Sequence, residues 1–433
     1  MASSDEFILP YEAISSFQKR AKEEAEIALV RGEDVCFPFK AFISDDFEES
    51  YFFLKKVLLT VLWTIGGSRF LFRCDPFFFS RFQQRAYQDE ELLASFRAIE
   101  EIYGEGVSFS LTEELPPRKE RKTKRSLSTS GCRVGLDLGG SDIKAMALQD
   151  GKVVYSSETL WSPKSAKEVS YHRDHIRSAL LDASSCLGRV DAIGVSTSGV
   201  IKDGLLVYPS LFASCDEKEK KEIPALLRDL CASFYPGASF ALINDGDASA
   251  LGASALYKKD SVLGLSLGTS LAGGYVKEGF LYPYLNELSK VPVDFGPYAK
   301  RHYQLGIRGS ASEYLSQKGI VSSIEEKGIV LQGSLPEKLL AIQKLAEEGN
   351  KAVLQGYREL GKRLGSSVLY LSLFLDFSNV FLLGRVMSGK GGEELLSSAN
   401  EYLNSKKSGL TLFSADEKFK RLGQAYVSAC LEK

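Results

Sequence analysis

The 433-residue chain has three histidines, three methionines, two tryptophans and a net charge of only −2. With charge so nearly balanced, it exerts no general pull on nucleic-acid or membrane phosphates. Its longest apolar run, Val57 to Ile65, is far short of the roughly 20 residues that span a bilayer. Met1–Pro10 has no basic start followed by an apolar core, so no secretory leader is expected. The seven cysteines are scattered, without a CxxC pair, which suits a reducing cytosol better than a secreted disulfide framework. A cytoplasmic protein is the expectation. What the chain does have is the composition of a globular protein, 44% hydrophobic and 25% charged, and a length that calls for more than one core.

One composition break stands out. Residues 115–131 hold two prolines, a basic run and a tail of small hydroxyl residues, with no apolar periodicity. The stretch reads as a linker between an N-terminal unit, 1–114, and a body, 132–433. In the N-terminal unit, Tyr11–Leu29, Phe47–Ile65 and Phe79–Tyr103 read as helices, and Arg69–Arg73 and Val107–Leu111 as strands. An α+β unit results. It carries 12 basic against 21 acidic residues, which disfavours DNA binding.

In the body, strands are expected at Cys132–Asp137, Lys144–Leu148, Ala192–Ser196, Phe240–Ile243, Val262–Ser266, Gly274–Lys277 and Val380–Leu383. Helices fall between them at His172–Cys186, Ile223–Ser233, Glu337–Glu347 and Asn350–Phe374. Such alternation indicates an α/β architecture with largely buried sheets. A strand, glycine turn, strand unit at 133–148 recurs in kind at 262–277, which suggests two similarly built lobes facing a cleft.

Three constellations carry chemistry. In Gly135-Leu-Asp-Leu-Gly-Gly-Ser-Asp-Ile-Lys144, an acid ends a buried strand and two glycines turn the chain. Gly139 and Gly140 let backbone N–H groups approach a phosphate, and Ser141 adds a donor. Asp137 can hold magnesium, directly or through water. An ordinary hairpin would show the same pattern. Leu267-Gly-Thr-Ser-Leu-Ala-Gly-Gly-Tyr275 repeats the device, and two such turns facing each other could clamp the ends of a triphosphate. In Ile243-Asn-Asp-Gly-Asp-Ala248, Asp245 follows an apolar strand and is placed to act as a general base, with Asp247 as the cap of the next helix.

These segments, in the order GLDLGGSDIKA, GVSTSGVI, INDGDASALGA, LSLGTSLAGGYV and VFLLGRV, resemble the ROK family. That family comprises bacterial sugar kinases and sugar-responsive repressors of the actin, hexokinase and heat-shock ATPase superfamily. The resemblance covers about 132–433 and implies a two-lobed actin-like ATPase (ribonuclease H-like) fold that binds ATP and magnesium. It puts Asp137, Gly139, Gly140, Ser141 and Lys144 in the first phosphate motif and Gly268, Thr269 and Ser270 in the second. Gly384 and Arg385 fall at the adenosine turn, Asp245 at the catalytic base, and Asn244 and Glu287 at sugar ligands. Ser198, Gly199 and Ser210 align with sugar-side segments, and a homodimer is part of what the resemblance implies.

The departures are local. Family kinases follow the sugar glutamate with Gly-His, whose histidine binds a structural zinc completed by cysteines. Here those positions are Ser289 and Lys290, and Tyr303–Ser316 has no cysteine. His172 and His175 read as surface residues, so no structural zinc is expected, and the loop must be held by packing. The leading expectation is a kinase acting on a hexose-type hydroxyl, with a small-molecule sugar as partner. The alternatives are a sugar-sensing transcriptional regulator and a catalytically silent binding protein.

Overall fold

A computed structural model describes residues 7–415 and 417–432, leaving aside the side chains of 417–421. No helix among the described residues is long and apolar enough to cross a membrane. The chain divides into two compact units, each made of several segments.

The first unit joins Met1–Lys122 to Tyr282–Ser378 and Lys390–Thr411. The N-terminal segment therefore shares its core with residues from far along the chain. Its strands are β1 (Glu23–Arg31), β2 (Val35–Ile43), β3 (Arg69–Arg73) and β4 (Ser108–Leu111), in the order β2-β1-β3-β4. β1 runs antiparallel to β2 and β3, and β4 runs parallel to β3. Its first four helices are α1 (Pro10–Arg20), α2 (Phe47–Ile65), α3 (Pro76–Ala86) and α4 (Glu90–Tyr103). Asp46 starts α2 by accepting the Glu48 and Glu49 N–H groups at 2.9 and 3.2 Å, and Gly66 ends it at φ +78°. Phe17, Phe37, Trp63, Phe70, Phe72 and Phe82 are all at most 1% exposed and form the aromatic core.

Two expectations fail here. The helix expected over Tyr11–Leu29 stops at Arg20, and the rest is strand β1, because pairing on both edges outweighs the helix preference of its Glu and Ala residues. The single helix expected over Phe79–Tyr103 is two, because Asp89 caps a new one with bonds from the Glu91 and Leu92 N–H groups.

The second unit comprises Thr123–Leu281, Asn379–Gly389 and Leu412–Lys433. Its first sheet is built from β5 (Cys132–Leu138), β6 (Asp142–Gln149), β7 (Lys152–Leu160), β8 (Ala192–Thr197) and β11 (Ser239–Asn244). Between β8 and β11 lies a small hairpin of β9 (Val200–Lys202) and β10 (Leu205–Tyr208). The second sheet comprises β12 (Val262–Leu267), β13 (Leu271–Lys277), β14 (Phe280–Leu281), β15 (Asn379–Leu383) and β16 (Thr411–Ser414). The orders are β11-β8-β5-β6-β7 and β14-β13-β12-β15-β16.

In each sheet the first strand pairs antiparallel with the next on one side and parallel with a crossover strand on the other. The repeat visible at 133–148 and 262–277 is thus the start of two sheets of one topology. Helices α5 (Val169–Ser184) and α6 (Ile223–Phe234) pack with the first sheet, while α7 (Asp245–Tyr257) packs on β12 and β13. The C-terminal helix Glu417–Cys430 packs on β5 and β8. Contact there is close: a Cβ on Gly135 would sit 2.0 Å from the Ala425 carbonyl oxygen.

Candidate active site

Three parallel strands of the first sheet end together. Asp137, Ser196 and Ile243 lie in one row across β5, β8 and β11, and Leu138, Thr197 and Asn244 lie in the next. The first glycine turn, Ser198–Gly199 and Asn244–Asp245 therefore leave the carboxyl ends of neighbouring strands, where α/β sheets collect ligand groups. Gly199, at φ +120°, lets the chain reverse into β9 against the Tyr208 carbonyl, and Ser210 opens a short 3-10 helix just beyond β10.

The second glycine turn belongs to the same unit. A Cβ on Gly140 would lie 3.5 Å from the Thr269 side chain, so the two turns meet. The Gly268 N–H donates to the Ser270 carbonyl at 3.0 Å. Gly384, at φ +97°, presses against the end of β12, where a Cβ would be 2.4 Å from the Leu267 carbonyl oxygen. Only glycine permits that approach, and it sets Arg385 beside the first sheet's turn.

The charges around that turn alternate. Asp137 accepts from Ser196 Oγ at 2.7 Å and faces Lys144 Nζ at 3.3 Å. Lys144 Nζ is 2.6 Å from Asp142, Arg385 Nη2 is 3.1 Å from Asp142, and Arg385 also pairs with Glu158 on β7. Burial works against the Lys144 ammonium, but Asp137 and Asp142 outweigh it and push its pKa up to about 12. Burial likewise opposes ionisation of Asp142, and Lys144 and Arg385 overcome it, holding the carboxyl below its ordinary value. Asp142 and Glu158 were not among the residues singled out from sequence. Asp142 stands inside the first motif, whereas Glu158 lies on a strand whose pattern is not distinctive.

Two hydrogen bonds shape the turn. The Gly139 N–H is used within it, donating to the Asp142 carbonyl at 2.9 Å, and Trp161 Nε1 donates to the Gly139 carbonyl at 2.7 Å.

Asn244, and not Asp247, caps α7: its Oδ1 accepts from the Gly246 and Asp247 N–H groups at 2.8 and 3.4 Å. Its amide donates to the Gly199 carbonyl at 3.0 Å. Asp245 is the first residue of α7 and half-buried, and its carbonyl accepts from Ser249 Oγ and Gln424 Nε2, both at 2.9 Å. His172, expected on the surface, is fully buried. Its ring stacks on Phe212 and its nitrogens sit 3.1 Å from the Pro163 and Glu168 carbonyls.

Glu287 belongs to the first unit, where it pairs with Lys290 and lies apart in sequence from every other candidate.

No group of three or more His, Cys, Asp or Glu residues among those described is arranged to hold a metal ion. Magnesium in phosphate chemistry needs less, usually one or two carboxylates with waters and phosphate oxygens. Both Asp137 oxygens keep acceptor capacity beyond their present partners, and three carboxylates here face two cations. The donor set fits a magnesium ion held through water.

No family model matches the sequence, and no curated protein does. Solved structures do match. A ROK family glucokinase from Streptomyces griseus, crystallised with glucose and AMPPNP, is 19% identical, covering 69% of this chain and 98% of that one at a TM-score of 0.55. A ROK family transcriptional regulator, a homolog of the E. coli MLC protein, is 16% identical over 69% and 78% of the two chains, at 0.54. A putative sugar kinase from Cytophaga hutchinsonii is 14% identical over 69% and 98%, at 0.50. The chain has the fold of these ROK proteins, the actin-like ATPase fold that the order of its motifs implied.

Proposed function

We propose that the chain is a ROK-type sugar kinase, transferring the γ-phosphoryl group of ATP to a hydroxyl of a hexose or hexose derivative. The observation that carries this reading is Asp245. It follows β11 directly, at the carboxyl edge shared with the Asp137 turn, in the same unit as both glycine turns.

In this mechanism Asp245 accepts the proton of the substrate hydroxyl while that oxygen attacks the γ-phosphorus. The bond from the γ-phosphorus to the bridging oxygen breaks, and ADP leaves with the electron pair. Backbone N–H groups of the two turns other than those of Gly139 and Gly268, which are donated within the turns, and the Ser141, Thr269 and Ser270 hydroxyls hold the phosphate oxygens. Asp137 would hold magnesium through water, and the ion would offset phosphate charge. Arg385, with Gly384 at the adenosine turn, and Lys144 set the local field from the sides. Asn244, with Ser198, Gly199 and Ser210, lines the sugar side, and the resemblance assigns Glu287 as a ligand of sugar hydroxyls.

The test is a coupled assay of ADP release across a panel of hexoses and amino sugars. Asp245→Asn should lower kcat by about 10²–10⁴-fold, the worth of a general base, with ATP affinity nearly unchanged. Near-normal turnover in that variant would sink the assignment. Absence of turnover by the unaltered chain with every sugar, despite ATP binding, would favour a silent binding protein.

A further inference from the structure

The resemblance places a zinc-braced loop where this chain reads Glu287-Leu-Ser-Lys290, and the residues present do not fit that metal. Ser289 and Lys290 replace the Gly-His pair, Tyr303–Ser316 lacks cysteine, and the Lys290 ammonium is turned onto the Glu287 carboxylate.

Residues 1–114 hold the segment instead. The N–H groups of Leu285, Asn286 and Glu287 donate to the carbonyls of Ile65, Thr64 and Trp63 at 3.0, 2.9 and 2.9 Å. These are carbonyls that the end of α2 leaves without a partner inside the helix. Gly66 makes the approach possible, since a Cβ there would lie 2.1 Å from the Tyr103 hydroxyl oxygen and 2.8 Å from Leu285 Cβ. Arg31 stitches the same junction, donating to the Ile65 and Pro283 carbonyls at 3.3 and 3.1 Å. The Lys290 ammonium sits 5.0 Å from the centre of the fully buried Trp63 ring.

Further along the loop, Lys56 Nζ donates to the Arg308 carbonyl at 2.7 Å, and Glu91 accepts the Arg308 N–H at 2.9 Å. The Ile8 N–H bonds Asp294 at 2.9 Å, and the Phe295 N–H returns to the Ile8 carbonyl at 3.0 Å. Four separate parts of the N-terminal segment thus fasten residues 283–308.

We propose that the N-terminal segment is a metal-free brace for this loop, and that Lys290, seated on Trp63, is the positioning residue that fixes the Glu287 carboxylate. The brace stands on the geometry alone. The positioning role rests on reading Glu287 as a sugar ligand. The ionised pair orients the carboxylate much as a metal-anchored histidine would order the same turn. It follows that the 114 added residues are a structural part of substrate binding, and not a separable module.

Hydrogen–deuterium exchange on the full chain, with sugar kinetics, tests both parts. In Lys290→Met and in Gly66→Ala, amides of 285–290 should exchange about tenfold faster or more, while β5 and β8 stay unchanged. Lys290→Met should raise sugar KM about tenfold with kcat within about threefold, and Lys290→Arg should recover part of that loss. Should Gly66→Ala not fold, Lys290→Met still decides. Unchanged exchange at 285–290 overturns the brace. So does one zinc per chain by elemental analysis whose chelation speeds that exchange. Faster exchange with unchanged KM overturns the role of Lys290 toward substrate. If the unaltered chain phosphorylates no sugar, the kinase reading fails while the exchange data still judge the brace.

Discussion

Arg385 Nη2 lies 3.1 Å from Asp142 Oδ2, joining the turn after β15 to the glycine turn between β5 and β6. Through it the two sheets of the second unit share a chain of alternating charge, Asp137, Lys144, Asp142, Arg385 and Glu158. Under the proposed reading of this turn as a phosphate site, a carboxylate within it is costly to a triphosphate. Asp142 carries that charge, and it also occupies both cations that could otherwise face phosphate oxygens. Asp142→Asn should therefore tighten nucleotide binding by about three- to tenfold, a gain of about 1 kcal/mol. It should also lower stability by about 3 kcal/mol, because a buried ion pair loses one partner. Titration calorimetry with a non-hydrolysable ATP analogue checks the first and urea unfolding the second. Weaker binding would mean that Asp142 serves the nucleotide by orienting Arg385.

The packing of the C-terminal helix on the first sheet gives a sharper stability test. A Cβ on Gly135 would meet the Ala425 carbonyl oxygen at 2.0 Å and the Ala429 nitrogen at 2.5 Å, both backbone atoms. Neither can swing aside as a side chain would. Gly135→Ala should cost about 3 kcal/mol, the upper part of the range for overpacking. Gly188→Ala, where nothing lies within 4 Å, should stay within about 0.5 kcal/mol of the parent. Equal unfolding midpoints for the two variants would contradict the packing.

Much of this architecture was legible in the residues, for a physical reason. Strands buried on both faces read as short apolar runs, so β5, β8, β11, β12 and β15 fall where the sequence places them, and the glycine turns follow. The C-terminal half of Tyr11–Leu29 misled because Glu and Ala favour helix locally, while the decision is made by β2 and β3 on either side. The split at Asp89 was readable, since an aspartate before two glutamates is a helix start. Contacts of long sequence separation had no such signal. Neither the seating of Glu287 on α2, over 200 residues away, nor the reach of Arg385 to Glu158 leaves a local trace.

The last prediction concerns Lys56, which is 1% exposed on α2. Its ammonium lies 5.6 and 5.8 Å from the Phe52 and Phe295 ring centres, with Glu91, Asp294, Lys55 and Arg308 as its charged neighbours. Burial depresses its pKa to about 8, only partly opposed by Glu91. The sign follows from which state holds the proton longer. Between pH 8 and the ordinary lysine value of 10.5, the unfolded chain binds more protons at this site, so its contribution to stability rises with pH. Thiols work the other way. Burial, full or partial, raises the pKa of Cys36, Cys74, Cys215, Cys231 and Cys430, so the unfolded chain ionises first and stability falls above about pH 9. The lysine is isolated by comparison with Lys56→Met, which keeps the thiols and removes the ammonium. From pH 7 to pH 9.5, the unfolding free energy of the parent should gain about 2 kcal/mol relative to Lys56→Met. Urea unfolding at those two values measures it. A difference that stays flat across the interval would mean that Lys56 titrates as an ordinary lysine despite its burial.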